Sequence, residues 1–185
     1  MRRKNTTGKM MMNYIAEALL ILMRDHPYPN ITIGNITKKA GVNRSTYYRH
    51  FDSKESVIKF FLDSVMSEYL GSFKKLKSRD FSIYLLIMFR TFYFHKNELL
   101  NIHKAGLSFL LSEVFVKHFD FEKITKISNL KEQYELSYHL GGIYNNMLLW
   151  FSHEMAETPE TMTEIAISYG LRNNLTLFEL SVSKI

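Results

Sequence analysis

The sequence predicts an all-α fold in which a helix-turn-helix in the first third is followed by a larger helical domain. Glycine and proline are scarce, with 8 and 3 in 185 residues, and apolar residues recur at three- and four-residue steps, which is the period of a helix. The hydrophobic fraction of 46% is enough for a substantial buried core. We place the domain boundary in the charged stretch from Lys74 to Asp80 and predict domains over residues 1–75 and 76–185.

The first helix is predicted over about residues 7–25 and stops at two closely spaced prolines. Its apolar stripe consists of Met12, Ile15, Leu19 and Leu22. Thr6 or Thr7 is the expected cap. Pro27 and Pro29 lack the amide hydrogens that a continuing helix would use, and they push the preceding residues toward extended backbone. The chain must therefore turn before a second helix begins.

Two short helices with a glycine turn between them are expected next. Thr32 is a good cap for a second helix that runs to Ala40, and Gly41 can supply the left-handed conformation that a tight reversal needs. Asn43 is the expected cap of a third helix that ends near Phe51. Two short helices joined by a three- or four-residue turn with glycine have the geometry of a helix-turn-helix.

Longer helices are predicted for the rest of the chain. The fourth is capped by Asp52 and Ser53 and extends to about Lys75. Beyond the boundary we expect helices at about 80–95, 97–117, 120–127, 130–156 and 159–174. Pro159 suits the first position of the last helix, with Thr158 as its cap.

Positive charge is concentrated at one end of the chain. Residues 1–78 carry 14 Lys or Arg against 6 Asp or Glu, whereas the remaining residues carry 10 against 12. Such asymmetry is expected when one domain faces a polyanion and the other does not.

The compartment is predicted from the start of the chain and from cysteine usage. A basic start before an apolar run is typical of a secretory signal, but Asn13 and Glu17 interrupt this run and no small-residue cleavage site follows. The chain has no cysteine, which fits a reducing compartment and removes disulfides, thiolate metal sites and cysteine nucleophiles. We expect a soluble, cytoplasmic protein with no membrane partner.

The third helix separates into an apolar and a polar face when its residues are projected at about 100° each. Tyr47 and Phe51 fall on the side of Val42 and are expected in the core. The opposite, polar face carries Arg44, Ser45, Tyr48 and Arg49. The sequence therefore predicts a helix with one buried side and one side free to read a partner.

The polar face has the chemistry of a DNA-reading surface. Arg44 can donate two parallel hydrogen bonds to guanine, Ser45 is small enough for close approach to base edges, and Tyr48 can contact a thymine methyl or donate to phosphate. Neighbouring polar residues lie nearer the DNA backbone. The predicted DNA-binding residues are Thr32, Arg44, Ser45, Thr46, Tyr48, Arg49, His50 and Lys54.

The order and spacing of this segment resemble the N-terminal signature of TetR-family regulators over about residues 10–65. The matching positions are Ile33, Ile36, Ala40, Gly41, Val42, Thr46, Tyr48, His50, Phe51, Ser53, Lys54 and Glu55. The resemblance implies phosphate contacts at Thr32, Tyr48, His50 and Lys54. It implies base contacts at Arg44, Ser45 and Tyr48.

Two positions depart from that signature. Tyr47 stands where an aliphatic residue is more common, so we expect its hydroxyl to reach a partner or solvent if the ring is buried. Asn35 replaces a charged residue in the second helix.

The resemblance also implies what the whole chain does. It implies a homodimer that binds a palindromic, double-stranded DNA operator, without a cofactor, and a C-terminal domain that dimerises and often encloses a small-molecule effector. The expected function is a repressor released from its operator by that effector.

A glycine pair in the predicted helix 130–156 points to the dimer interface. A helical glycine costs about 1 kcal/mol relative to alanine, so we expect a close helix approach at Gly141 and Gly142. The predicted interface residues are Gly141, Gly142, Trp150, Ile165 and Tyr169. Packing within one chain is the alternative for this apolar face. Residues 100–170 also loosely resemble a TetR subgroup that includes regulators of dihydroxyacetone kinase operons.

Aromatic and methionine residues are candidates for an effector pocket, since methionine adapts to varied shapes. The candidate pocket residues are Phe89, Phe92, Tyr93, Phe109, Tyr138 and Met147. Plain core packing is the alternative for each of them. The histidines of this region, including His95 and His103, have no spacing typical of a metal site, and we predict none.

Two other classes of function were weighed against DNA binding. An enzyme is not predicted, because the sequence shows no phosphate-binding glycine loop, metal dyad or spaced nucleophile and base, and no catalytic residue is assigned. A co-regulator that keeps the DNA-binding fold but acts through a protein partner stays open. Arg44, Tyr48 and Lys54 favour DNA, because a protein that no longer binds DNA has no need of this combination.

Overall fold

A computed structural model describes residues 2–74, 80–119 and 124–168, and the chain forms α-helices but no strand in these ranges. The helices are α1 (Arg2–Asp25), α2 (Ile33–Ala40), α3 (Arg44–His50), α4 (Lys54–Lys74), α5 (Phe81–Phe94), α6 (Lys96–Lys104), α7 (Phe109–His118), α8 (Leu130–Ser152) and α9 (Pro159–Ser168). A single 3₁₀ turn at Tyr28–Asn30 precedes α2. The all-α prediction is confirmed.

The head consists of α1 to α3 and the first half of α4, packed around side chains that face inward at helical spacing. Ile15 and Leu19 of α1, Ile36 of α2, Tyr47 of α3 and Ile58 of α4 are all 0% exposed. Each such side chain contributes about 1.5–3 kcal/mol when it leaves water. This core sets the crossing of α2 over α3 and so fixes which side of α3 faces outward.

The second half of α4 belongs to a larger body that contains α5 to α9. Within it, α4 packs against α5 and α7, α8 packs against α6 and α7, and α9 packs against α5. Buried apolar residues form one continuous cluster through head and body. The division at residues 75 and 76 remains a prediction, because residues 75–79 lie outside the described ranges.

The body is organised around Trp150 of α8, which is 1% exposed. Its indole nitrogen donates a hydrogen bond of 3.1 Å to the carbonyl oxygen of Glu157. The Phe89 ring meets it edge-on at 5.5 Å between centroids, and the Tyr93 ring stacks on it at 6.0 Å. Trp150 therefore joins α5 to α8 inside one chain.

Three predicted helix boundaries are wrong. α1 begins at Arg2, and Thr6 and Thr7 are not caps, since arginine and lysine are good helix formers and continue the helix upstream. The helix predicted at 97–117 is broken into α6 and α7, because Gly106 adopts a φ of +74°. α8 ends at Ser152 rather than at 156, since the chain turns into left-handed backbone directly after it.

The remaining boundaries fall partly outside the described ranges. Residues 125–129 are not helical, so the helix predicted at 120–127 does not extend to its expected end, and residues 120–123 lie outside those ranges. α9 begins at Pro159 as predicted, and the Thr158 hydroxyl accepts a hydrogen bond from the Thr161 amide at 3.2 Å. The expected continuation of that helix to 174 also lies outside them.

The left-handed turn at Gly41 can be tested by substitution. Its φ of +67° costs an L-residue about 1 kcal/mol or more, so Gly41→Ala should lower the free energy of unfolding in urea by about that amount. Gly71→Ala is the matched control, because Gly71 lies inside α4 and a Cβ there meets no atom within 4 Å. That variant should be about 0.5–1 kcal/mol more stable. Equal effects of the same sign would contradict the assigned turn.

Candidate nucleic-acid interface

The start of α2 is closed by a reciprocal cap between Thr32 and Asn35. The Thr32 hydroxyl oxygen accepts a hydrogen bond from the Asn35 amide at 3.1 Å, and Asn35 Oδ1 accepts from the Thr32 amide at 2.9 Å and from the Thr32 hydroxyl at 2.5 Å. Asn35 thus takes the position that Glu or Gln holds in a capping box. The single hydroxyl proton of Thr32 is used inside the protein, so a phosphate contact there requires this bond to open.

The turn after α2 is built as the sequence predicts. Gly41 adopts left-handed backbone, and the Val42 amide donates a hydrogen bond of 3.0 Å to the Thr37 carbonyl. Asn43 then caps α3, since its Oδ1 accepts from the Thr46 amide at 2.8 Å. Both caps are therefore made by residues that the sequence identified.

α3 has the predicted division into two faces. Tyr47 is 0% exposed and Phe51 is 5% exposed. On the outward side Tyr48 is 58% exposed, and the residues Arg44, Ser45 and Arg49 are exposed as well. Thr46 and His50 lie at the edge and are partly buried. A duplex can reach the exposed set without moving any core side chain.

The hydroxyl of Tyr47 does not meet the expectation that it finds a partner or solvent. The atom is buried and makes no hydrogen bond. Burial, with the nearby Tyr48 as a smaller cause, raises the pKa of Tyr47 to about 12. The ring is retained by packing, with Phe51 at 6.0 Å between centroids, and an unsatisfied buried hydroxyl is a local cost of that packing.

Arg44 lies back across the first turn of α2. A Cβ built on Gly34 would be 3.0 Å from Arg44 Nη2 and 3.5 Å from the Thr32 hydroxyl oxygen. The absence of a side chain at Gly34 therefore makes room for the guanidinium between the two helices. Sequence reasoning missed Gly34, whose contact with Arg44 appears only once α2 crosses α3.

The strongest polar contacts of the head join the start of α4 to the loop before α2. Lys54 Nζ donates hydrogen bonds to the carbonyl oxygens of Tyr28, at 2.9 Å, and of Ile31, at 2.8 Å. The same ammonium lies 4.2 Å from the centre of the Tyr28 ring. We call Lys54, Tyr28, Ile31 and Glu55 the Lys54 anchor. Two of the three ammonium hydrogens are used in it, which leaves one for the predicted phosphate contact.

Glu55 completes the anchor. The Tyr28 hydroxyl donates a hydrogen bond of 2.6 Å to Glu55 Oε1. This bond lowers the pKa of the Glu55 carboxyl. Burial, together with the same bond, raises the pKa of Tyr28 well above its ordinary value. Both shifts have the sign expected when a phenol donates to a carboxylate.

The segment that contains this geometry matches a known family. Residues 15–59 match the profile of the N-terminal domain described as "Bacterial regulatory proteins, tetR family". These residues form a TetR-type helix-turn-helix domain. The match covers the second half of α1, all of α2 and α3, and the start of α4 with the Lys54 anchor.

The chain is also similar to transcription regulators over a short stretch of its length. The HTH-type transcriptional regulators EthR of Mycobacterium tuberculosis and Mycobacterium bovis are each 38% identical to this chain over 47 residues, which is 25% of this chain and 22% of the relative. The chain thus spans about a fifth of the length of the relatives that it matches. Beyond the TetR-type domain, these matches assign nothing to the body.

Of the predicted pocket residues, Phe89 and Tyr93 both contact Trp150, but no described cavity brings the six together. Three of them are core: Phe89 packs on Trp150, Phe92 packs on Phe115, and Met147 is fully buried. The other three lie at the surface: Tyr93, Phe109 and Tyr138, at 39%, 52% and 78% exposure. The described cavities lie between α1, α4 and α6, between α4 and α7, and between the end of α1 and α6. Other residues line all of them.

The predicted interface residues are partly buried within the chain and partly open to a second one. Trp150 is wrong as an interface residue, because it is buried inside one chain by its contacts to α5. Gly141 and Gly142 have open space above them, since a Cβ on either meets no atom within 4 Å. The close approach expected there is therefore not made within the described part of one chain. Ile165 is partly buried on α9, and Tyr169 lies outside the described ranges.

The described residues form neither a metal cluster nor a membrane-spanning helix. No group of three or more His, Cys, Asp or Glu in the described residues is placed to hold a metal ion. Among those residues, no helix combines the length and the apolar character that crossing a bilayer requires.

The hydrogen bond between Tyr28 and Glu55 should make the free energy of unfolding depend on pH. A lowered Glu55 pKa contributes stability above the unfolded value near 4.5 that is lost as pH falls; a raised Tyr28 pKa contributes stability below 10.0 that is lost as pH rises. The difference in free energy of unfolding between wild type and Tyr28→Phe should therefore be constant from about pH 5 to pH 9 and shrink on both sides.

Urea titrations across that pH range measure this difference. Tyr14→Phe is the control, because it removes the hydroxyl of an exposed tyrosine of α1, and it should not show this loss on both sides over the same pH range. A Tyr28→Phe difference that does not change between pH 3 and pH 11 would show that the bond is not formed in solution.

Proposed function

We propose that the chain is a TetR-type DNA-binding transcription regulator that acts as a homodimer on a palindromic operator. The observation that carries the proposal is the outward face of α3, where Arg44, Ser45, Tyr48 and Arg49 stay exposed while Tyr47 is fully buried. A helix presented in this way fits the major groove with its N-terminal residues at base edges. The match of residues 15–59 to the TetR profile supports the same reading.

The roles of individual residues follow from their positions. Arg44 at the first position of α3 is assigned to guanine, with Ser45 beside it to permit close approach. Tyr48 and Arg49 follow one turn later. Thr32, Thr46, His50 and Lys54 are assigned to phosphates and register, at the rim of the same face. A regulator of this kind operates in the cytoplasm, where the DNA is.

Dimerisation is assigned to the outward face of α8. Its exposed apolar residues are Leu130, Tyr134, Tyr138 and Leu149, at 64%, 71%, 78% and 57% exposure. Their spacing of 4, 4 and 11 residues places them on one side of the helix, with Gly141 and Gly142 between them. If α8 of a second subunit crosses at the glycines, the same apolar residues are buried on both subunits. Two-fold symmetry requires such a self-complementary interface. Leu149 thus takes the interface role that the sequence had suggested for Trp150.

We further propose that the regulator is a repressor, not an activator, and that a small-molecule effector controls it. Both parts of this proposal rest on the resemblance of the head to TetR-type regulators. The second candidate function is a co-regulator that acts through a protein partner. The loose likeness of residues 100–170 to dihydroxyacetone kinase operon regulators suggests it. The exposed Tyr134 and Tyr138 favour it if α8 binds another protein. We assign no catalytic activity and no cofactor.

DNA binding is tested at Arg44. Arg44→Ala should weaken binding to the preferred duplex by about tenfold or more, since a bidentate arginine–guanine contact is worth about 1–3 kcal/mol. Lys126→Ala is the control, because it removes the same charge from an exposed position of the body. Fluorescence anisotropy at fixed salt measures both. Equal affinities of wild type and Arg44→Ala would contradict the assigned reading face.

The dimer is tested at Tyr138. Tyr138→Glu should convert the protein to monomers at micromolar concentration, because it places two charges on a face that must leave water. Phe94→Glu changes a residue that is equally exposed, at 78%, but lies on α5 away from the α8 stripe, and should leave the mass unchanged. Sedimentation equilibrium distinguishes these outcomes. A wild-type chain that is monomeric would overturn the dimer.

A further inference from the structure

A groove of about 470 Å³ lies where the head meets the body, between α1, the middle of α4 and the start of α6. This volume is within the range of about 300–1,000 Å³ that small-molecule sites occupy. It is separate from the α3 face and from the residues that the sequence suggested as a pocket. No function proposed above uses it.

The floor of the groove is apolar. Leu20 of α1 and Val65 of α4 are 8% and 1% exposed, and the half-buried rings of Phe60 and Phe61 lie beside them. Such a floor accommodates a hydrocarbon or aromatic body, and the face of a phenylalanine ring also attracts a cation.

The rim of the groove is acidic. It carries the carboxylates of Glu17 from α1, Glu68 from α4 and Glu98 from α6. Glu68 is bonded to His95 at 2.8 Å. Glu17 and Glu98 have no hydrogen bond or ion pair within the described residues. Neither carboxylate is therefore neutralised by a direct contact in that part of the chain.

The opposing charges are fewer. Among the described residues that line the groove, Arg24 is the only arginine or lysine. His95 also lines it, is bonded to Glu68 and meets the Phe61 ring edge-on at 5.6 Å. Three glutamates and one arginine thus line the groove among the described residues. This contrasts with the chain as a whole, whose formal net charge is +6.

We propose that this groove binds an organic monocation, an amine or quaternary ammonium with an apolar body. The ammonium lies between Glu17 and Glu98, and the apolar part lies on Leu20, Phe60 and Phe61. Glu17 belongs to the head and Glu98 to the body, so a bound cation joins the two parts and favours one arrangement of the head. The inference deepens the proposed function and rests on it only for that regulatory consequence.

Three probes with one phenylbutyl body and different charges test the site. Calorimetry on the full-length protein without DNA compares 4-phenylbutylamine, 4-phenylbutanol and 4-phenylbutyrate at pH 7. The amine should bind at least about tenfold more tightly than the alcohol, and the carboxylate should not bind. Because no DNA is present, the outcome is independent of whether the α3 face binds an operator.

Matched variants localise the binding. The double variant Glu17→Gln/Glu98→Gln should weaken amine binding by about tenfold, because each half-exposed carboxylate contributes up to about a factor of five. Glu132→Gln/Glu164→Gln removes the same charge from α8 and α9, outside the groove, and should bind the amine as wild type does. Equal binding of the three probes, no binding of the amine, or an unchanged affinity in Glu17→Gln/Glu98→Gln would each overturn the proposal.

Discussion

The ammonium of Lys54 donates to two backbone carbonyls of the loop before α2, and the geometry of the head depends on this constraint. The loop contains two prolines and cannot satisfy its carbonyls by continuing α1. The Tyr28 carbonyl accepts one backbone hydrogen bond, from the Ile31 amide at 3.2 Å. Lys54 adds a donor to it and to the Ile31 carbonyl from the first turn of α4, and Glu55 accepts from the Tyr28 hydroxyl beside it. The start of α4 therefore holds the entry to α2, and α2 in turn determines where α3 lies.

The body is joined to this anchored head mainly along α4. Ion pairs connect its outer side to α7, at Lys59–Glu113 and Asp63–Lys117, and to the α5–α6 turn, at Glu68–His95. Exposed pairs of this kind contribute about 0–1 kcal/mol each. The buried residues of α4, such as Met66 and Tyr69, therefore supply most of the attachment. α4 and α1 are the elements that connect the body to the core around α3.

The sequence predicted those parts of the fold that depend on local spacing. The caps Thr32 and Asn43, the turn at Gly41 and the division of α3 into two faces all follow from residue type and helical period. The Lys54 anchor could not be predicted in this way, because its partners lie 23 and 26 residues away in sequence. The groove between α1, α4 and α6 has the same origin, since its carboxylates meet only after the helices have packed.

The error at Trp150 shows the limit of pattern reasoning in an apolar helix. Trp150 and Leu149 are neighbours whose side chains point about 100° apart, and both fit a hydrophobic face. Only the packing of α8 against α5 reveals that Trp150 is inside and Leu149, at 57% exposure, is outside. The sequence showed that α8 has an exposed apolar face. Which residues form that face depends on how the helix is rotated about its axis when it packs.

The central claim is that the anchored head reads DNA sequence through α3, and selection of bound duplexes from a random pool tests it most directly. The account predicts enrichment of a palindrome whose half-sites lie about 10 base pairs apart or a multiple of that distance, with affinity that falls steeply as salt rises. Recovery of the pool without any enriched sequence, at a salt concentration where the protein is folded and dimeric, would contradict it.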